Sequence, residues 1–418
     1  MSINSFPQKS KMKRTLLNLL FAVILFSLFI GALEIVLRTT HLFGAALSWI
    51  EPDPFVGYRS VADSHYWYNK ENNHPITGRI NSYRWRDKEW SQGKPSNTFR
   101  IAVLGDSMVE AFQVESDRTF LSLTEYQLNR TPNQDIKVEL MNFGRSGFTQ
   151  SEELLVLQKE IVQFSPDMVL AFFLPSNDIE DVSKETAEEL RRPFYHISEN
   201  GQLILDTSFI DLPQYKIFSF LSPFKQHSAL LSLIKERYDF FRGRVMGYKY
   251  KMMSKSKKEE ILQDKKIAPP FLSLCTKNPN VKFLKNYQLN KILIKAMAEF
   301  SKQKGIKFML VTWDIPSYIP EFERKFVAID STFNANYFED DLGEYTRLLN
   351  IEYLGLQRIF RRAYENTGSP LHWETPHWAV SSMLGAFSPH LNYEGHKVVA
   401  DALVNKLKPI IYSKVKGD

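Results

Sequence analysis

The sequence predicts an α/β fold behind an N-terminal membrane helix. Three short apolar runs, Phe99–Leu104, Val138–Met141 and Met168–Leu174, have the composition of buried parallel strands. Helical spacing separates them, and each ends in a loop of small or polar residues. In an open α/β sheet, loops at the carboxyl ends of successive strands converge on one crevice. The membrane helix is read from Thr15–Leu37, TLLNLLFAVILFSLFIGALEIVL, a run long enough to cross a bilayer.

Taken in order, the chain opens with a basic tail, residues 1–14, carrying Lys9, Lys11, Lys13 and Arg14. Positive charge on this side favours a cytoplasmic N-terminus and an extracytoplasmic remainder. The apolar run exceeds a signal-peptide core and no A-x-A site follows, so it reads as an uncleaved anchor at 15–37. Glu34, near its end, reads as an interfacial residue at the headgroups. The 418 residues imply one core with large insertions or two domains. Apolar content of 44% and aromatic content of 13% suffice for such a core, and the net charge of +6 is mild. The single cysteine, Cys275, excludes an intramolecular disulfide and a cysteine-based structural zinc site.

Residues 39–98 form a lead-in with little periodicity. Glu51–Pro54 and Gly57-Tyr58-Arg59 read as turn and extended segments, and Asn81–Arg84 as a short strand. The main domain, 99–418, then begins with the strand that ends at Gly105-Asp106-Ser107, after which Met108–Phe112 restarts as helix. A helix continues through Phe120–Leu128, and another covers Ser151–Phe164 up to Pro166. An insertion occupies about 185–300. Its Pro213–Phe241 stretch reads as partly helical, and Lys249–Lys266 as a basic solvated face or, second, a polyanion- or membrane-surface-binding run. Nucleic acid is not the expected partner, since the run carries no binding motif. The helix Leu289–Lys304 leads into a fourth strand, Ile306–Trp313, and Ile351–Leu354 is a weaker fifth. Lys397–Leu407 is the final helix, with His396 beginning it and packing.

The strand-end loops carry the chemistry. Ser107 sits at a helix N-terminus, where its hydroxyl is exposed and backbone N–H groups can stabilise negative charge. A serine there also serves as a plain helix cap. Acyl transfer needs a base for the serine proton and donors aimed at the oxygen that becomes negative. The N–H groups of Ser107 and Gly147 and the amide of Asn177 can form that oxyanion hole; Gly147 and Asn177 also fit ordinary turn roles. His390, in a loop ahead of the last helix, suits a general base.

Four blocks, GDSM (105–108), NFGRSG (142–147), PSND (175–178) and HLNYEGH (390–396), together resemble the SGNH/GDSL hydrolase superfamily. The match covers roughly 99–181 and 306–407. The N-terminal helix and Gly57-Tyr58-Arg59 resemble its membrane-anchored members. The resemblance implies a flavodoxin-like three-layer α/β/α sandwich with a five-stranded parallel sheet. It implies Ser107 as nucleophile, His390 as base, and Ser107, Gly147 and Asn177 as oxyanion hole. The implied activity is hydrolysis or transfer of an O-acyl group, commonly acetyl, on a glycan or lipid, without metal or other cofactor.

One position departs from the pattern. The family places an Asp three residues before its catalytic His, and here Phe387 stands there. Glu374 and Asp314 are candidate replacement acids, a backbone carbonyl could orient the ring, and Glu374–His377 could itself supply an acid–His pair. His372, Glu374 and His377 match no strong zinc spacing. Two readings remain: an extracytoplasmic, membrane-tethered serine esterase or acyltransferase, and a non-catalytic glycan-binding relative that has lost its acid. Trp313, Trp373 and Trp378 could stack on sugars, or simply pack.

Overall fold

In the computed structural model, residues 7–44, 46–69, 71, 74–131, 135–235, 237–238, 241, 245, 270–374 and 387–412 are described. The chain begins with a long helix, α1 (Pro7–Thr40), whose Met12–Thr40 part is long and apolar enough to cross a membrane. Two antiparallel hairpins follow in the lead-in: β1 (Ile50–Asp53) with β2 (Gly57–Ser60), and β3 (His65–Tyr68) with β4 (Ile76–Arg79). Asn81–Arg84 is not the strand its composition suggests. The Asn81 side chain accepts from Tyr83 N–H and Trp85 N–H, and that local bonding bends the backbone into a turn.

The main sheet then forms in alternation with helices. Its elements are β5 (Thr98–Gly105), α2 (Ser107–Glu110), α3 (Phe120–Asn129), β6 (Lys137–Gly144), α4 (Gln150–Lys159), β7 (Met168–Phe173) and α5 (Asn177–Asp181). The insertion contributes a small hairpin, β8 (Phe194–Ile197) with β9 (Leu203–Asp206), and α6 (Pro213–Gln226). After it come α7 (Pro270–Leu274), α8 (Val281–Gln303), β10 (Lys307–Thr312), α9 (Pro320–Ile329), α10 (Tyr337–Leu348), β11 (Glu352–Gly355) and α11 (Gln357–Thr367). A short antiparallel pair, β12 (His372–Glu374) and β13 (Phe387–Leu391), precedes the last helix, α12 (Tyr393–Tyr412).

Five strands make one parallel sheet in the order β11-β10-β7-β5-β6. Its centre is β7, MVLAFF, buried at every residue, which is what a strand covered on both faces requires. The edge strand β11 is only partly covered, in keeping with its weaker apolar signal. Helices flank the sheet, with α3 packed against α12 and α4 against α8. The fold is therefore the expected five-stranded α/β sandwich.

Several helices differ from expectation at their ends: α8 begins at Val281 rather than Leu289, and the helix expected over Ser151–Phe164 stops as α4 at Lys159, followed by a 3-10 turn at Ile161–Phe164. The one after Ser107 is a single turn, because Ala111 adopts a left-handed conformation (φ 57°) that stops it. The last helix starts at Tyr393 and so contains His396, which is buried, stacked on Phe120 and accepting from Phe120 N–H. The Lys249–Lys266 run lies outside the described residues.

Candidate functional site

Residues 99–110 are buried except Ser107, which is half-buried. The same happens on the two neighbouring loops: only Ser146 and Gly147 reach the surface within 140–150, and only Ser176 and Asn177 within 168–179. All three openings lie at the carboxyl ends of adjacent strands, β6, β5 and β7. Asp106 caps α2 by accepting from Met108 N–H at 2.9 Å and, with its other oxygen, accepts from the Asn177 amide at 3.0 Å. An amide nitrogen carries two hydrogens, so one remains after this bond. Burial raises the Asp106 carboxyl above its usual range, against the pull of these donors and of the nearby His390.

The loop carrying Gly147 is held from two sides. Ser146 donates to Glu110 through its N–H (2.7 Å) and its hydroxyl (2.5 Å), and Tyr58 of the lead-in donates to the Ser146 carbonyl. Gly147 has φ +78°, and a Cβ there would lie 2.9 Å from the Tyr58 hydroxyl. Only glycine meets both demands without strain. The Gly57-Tyr58-Arg59 segment is therefore a support for this loop. The backbone N–H groups of Ser107 and Gly147 take part in none of the hydrogen bonds among the described residues. They are available to a ligand oxygen.

His390 arrives on β13. Its Nε2 is 2.9 Å from Ser107 Oγ, and its Nδ1 is 2.8 Å from Glu71 Oε1. A carboxylate only accepts, so the Nδ1 bond places the proton there and leaves the Nε2 lone pair for the Ser107 hydroxyl. Glu71 comes from the lead-in, between β3 and β4, and its other oxygen accepts from the Tyr68 hydroxyl at 2.5 Å. Gln113 donates weakly to that same hydroxyl (3.4 Å), and the Tyr68 ring stacks on Phe112. Burial, then the Glu71 charge, pushes the Tyr68 phenol far above its usual range, so it stays a donor.

The carboxylate against His390 is thus Glu71, where the sequence suggested Glu374 or Asp314. Asp314 follows β10 and lies instead 3.7 Å from Nε2 of a different histidine, His372. It is deeply buried there, and burial raises its carboxyl well above the usual range, which disfavours the anion a catalytic acid needs. The backbone of Glu374 pairs with Phe387, while its side chain, like those of His377 and Trp378, lies outside what is described. His372 bonds Tyr318 at 3.0 Å, and burial followed by the His390 charge lowers its pKa to about 3. Trp313 is a packing residue, wedged between Phe120 and Phe172. Glu71 left one faint trace in the sequence, as the sole carboxylate between His65 and Arg79.

Comparison with known proteins gives structures alone. A psychrotrophic esterase from a Pseudoalteromonas species is 12% identical, covering 75% of this chain and 98% of its own, with a TM-score of 0.34. A catalytic mutant of an acetylxylan esterase from Geobacillus stearothermophilus is 10% identical over 74% and 94%, TM-score 0.35. A GDSL-like lipase from Bacteroides thetaiotaomicron is 12% identical over 78% and 93%, TM-score 0.32. No family model and no curated protein matches the chain.

A cavity of about 380 Å³ adjoins this centre. Its lining includes Tyr68, Phe112 and Ser146, beside this centre, together with Trp49, Trp67, Lys225 and Lys235.

Proposed function

We propose that this chain is a serine ester hydrolase or acyltransferase of the SGNH/GDSL type, with Ser107 as nucleophile, His390 as base and Glu71 as the acid behind it. The observation that carries this reading is the unbroken line of hydrogen bonds from Ser107 Oγ through His390 to Glu71. As Ser107 attacks the acyl carbonyl, its proton passes to His390 Nε2. The oxygen that becomes negative is received by the N–H groups of Ser107 and Gly147 and the spare amide hydrogen of Asn177. Glu71 stabilises the imidazolium. His390 then returns the proton to the departing alcohol, and a water or an acceptor hydroxyl repeats the sequence in reverse.

The substrate class supported by the four motif blocks is an O-acylated, commonly acetylated, glycan or lipid. The alternative, a glycan-binding relative without a catalytic acid, rested on Phe387, and Glu71 against His390 speaks against it. The chain is held in the membrane by α1 with its N-terminus cytoplasmic and the Ser107 domain outside. Besides the basic tail, packing supports an anchor that is retained: Leu37 is 2% exposed and buried against Ala229, so cleavage after α1 would open a packed cluster.

The test is release of acetate from a small aryl acetate by the detergent-solubilised full chain. Wild type turns over, while Ser107→Ala and His390→Ala each lose about six orders of magnitude in kcat. Equal rates for wild type and Ser107→Ala would refute the hydrolase reading.

A further inference from the structure

The insertion carries an apolar surface that the chemistry above does not use. On α6, Ile217, Phe220, Leu221 and Phe224 are exposed at the i, i+3, i+4, i+7 spacing of one helix face, with Phe220 69% exposed. Its opposite face is buried through Tyr215 and Ser222. After a turn at His227, residues 229–235 are helical again, and Leu231, Ile234 and Tyr238 continue an exposed stripe at matching spacing. Soluble surfaces seldom carry contiguous aromatic and aliphatic stripes of this size.

What covers this face follows from how the second helical segment is attached. Glu34 of α1 accepts from Ala229 N–H (2.7 Å), Leu230 N–H (3.1 Å) and the Ser228 hydroxyl (3.0 Å), capping residues 229–235. Arg38 bonds Glu34 at 2.6 Å and also donates to the His227 carbonyl. Leu33 and Leu37 pack on Ala229, Leu230 and Leu233. Glu34 lies three residues before the end of the apolar run, about 4.5 Å along a helix, so whatever it caps sits at the edge of the bilayer. Glu34 thus keeps the place at the bilayer edge that its position suggests, and caps a second helical segment there.

We propose that α6 and the helical segment 229–235 form a pair of interfacial helices that lie on the bilayer surface beside α1, apolar stripes in the lipid. Amphipathic helices bind the headgroup–acyl boundary in this manner. Lys225 and Lys235, one on each helical segment, also line the cavity that reaches Tyr68 and Ser146. Seating the pair therefore brings the Lys225 and Lys235 wall of that cavity to the headgroup boundary. This inference rests on α1 spanning the membrane.

The native chain has one thiol, Cys275, which is buried, so introduced cysteines can be labelled alone. Phe220→Cys, Ile234→Cys, Phe26→Cys in α1 and Tyr126→Cys on α3 are made in the full chain and labelled with NBD. Each is reconstituted in phosphatidylcholine–phosphatidylglycerol vesicles with doxyl-labelled lipid as quencher. The proposal expects labels at 220 and 234 to shift to the blue and lose most of their emission, while the label at 126 is unaffected. Unquenched labels at 220 and 234 overturn it. If position 26 is quenched while 220 and 234 are not, the anchor stands without seated helices. A blue shift at 220 and 234 that grows with protein density but is not quenched identifies a self-association face instead, and also overturns it. Quenching at 220 and 234 but not at 26 refutes the span and, with it, the proposal that the pair lies beside a membrane-crossing α1.

Discussion

Glu71 is a carboxylate without water around it: its side chain is 0% exposed. Burying such an anion is costly unless each oxygen is satisfied, and here His390 and the Tyr68 phenol take one each. The phenol cannot release its own proton in this setting, so it holds Glu71 in place without competing for charge. Glu71→Gln preserves shape but removes the charge and permits the wrong imidazole tautomer. Its kcat on an aryl acetate falls by about 10⁴. Asp314→Asn, which alters the neighbour of His372, leaves kcat near the wild-type value. Steady-state kinetics on the two variants separates the two carboxylates, and equal losses would reassign the acid.

At the scale of elements, the centre depends on how closely α2 sits on the sheet. Gly105 and Gly144 are register partners at the carboxyl ends of β5 and β6. A Cβ on Gly105 would meet the Val109 side chain at 2.3 Å, and one on Gly144 the Glu110 backbone nitrogen at 2.6 Å. The paired glycines let the single turn of α2 drop onto the strand ends, which brings Glu110 to the Ser146 loop. Arg86 fixes the other end of that turn through the carbonyls of Glu110 and Val114. In Gly144→Ala the added methyl meets backbone, which cannot rotate away, so the fold loses about 1–3 kcal/mol. Thermal unfolding measures that loss, and kcat falls with it because Gly147 moves with the same loop.

For the molecule as a whole, buried histidines set one part of the response to acid. Burial lowers the pKa of His372 and of His396 to about 3 from an ordinary 6.5. Between those values the unfolded chain takes up protons that the folded chain refuses, so both residues favour the fold fully above 6.5 and progressively less down to about 3. Buried acids act in the opposite sense: burial raises Asp87 to about 6, so its penalty to the fold is relieved by acid. Comparing wild type with His396→Gln isolates one histidine, because the acids are common to both. Denaturant midpoints taken from pH 7 to pH 4 fall more steeply for wild type than for the variant.

The sequence by itself determined the alternation of strands and helices, since β5, β6 and β7 are short runs whose apolar periods are set by immediate neighbours. It singled out Ser107 and His390 for the same reason: each stands in a local block, at a strand end or ahead of a helix. The tertiary structure decided which carboxylate meets His390. Glu71 is 319 positions away, in a hairpin loop whose composition marks no chemistry. It likewise decided the partner of Glu34, which caps a helix 195 residues later. Local spacing encodes where an element starts and stops, whereas a contact between distant loops exists only once the lead-in and insertion have packed onto the sheet.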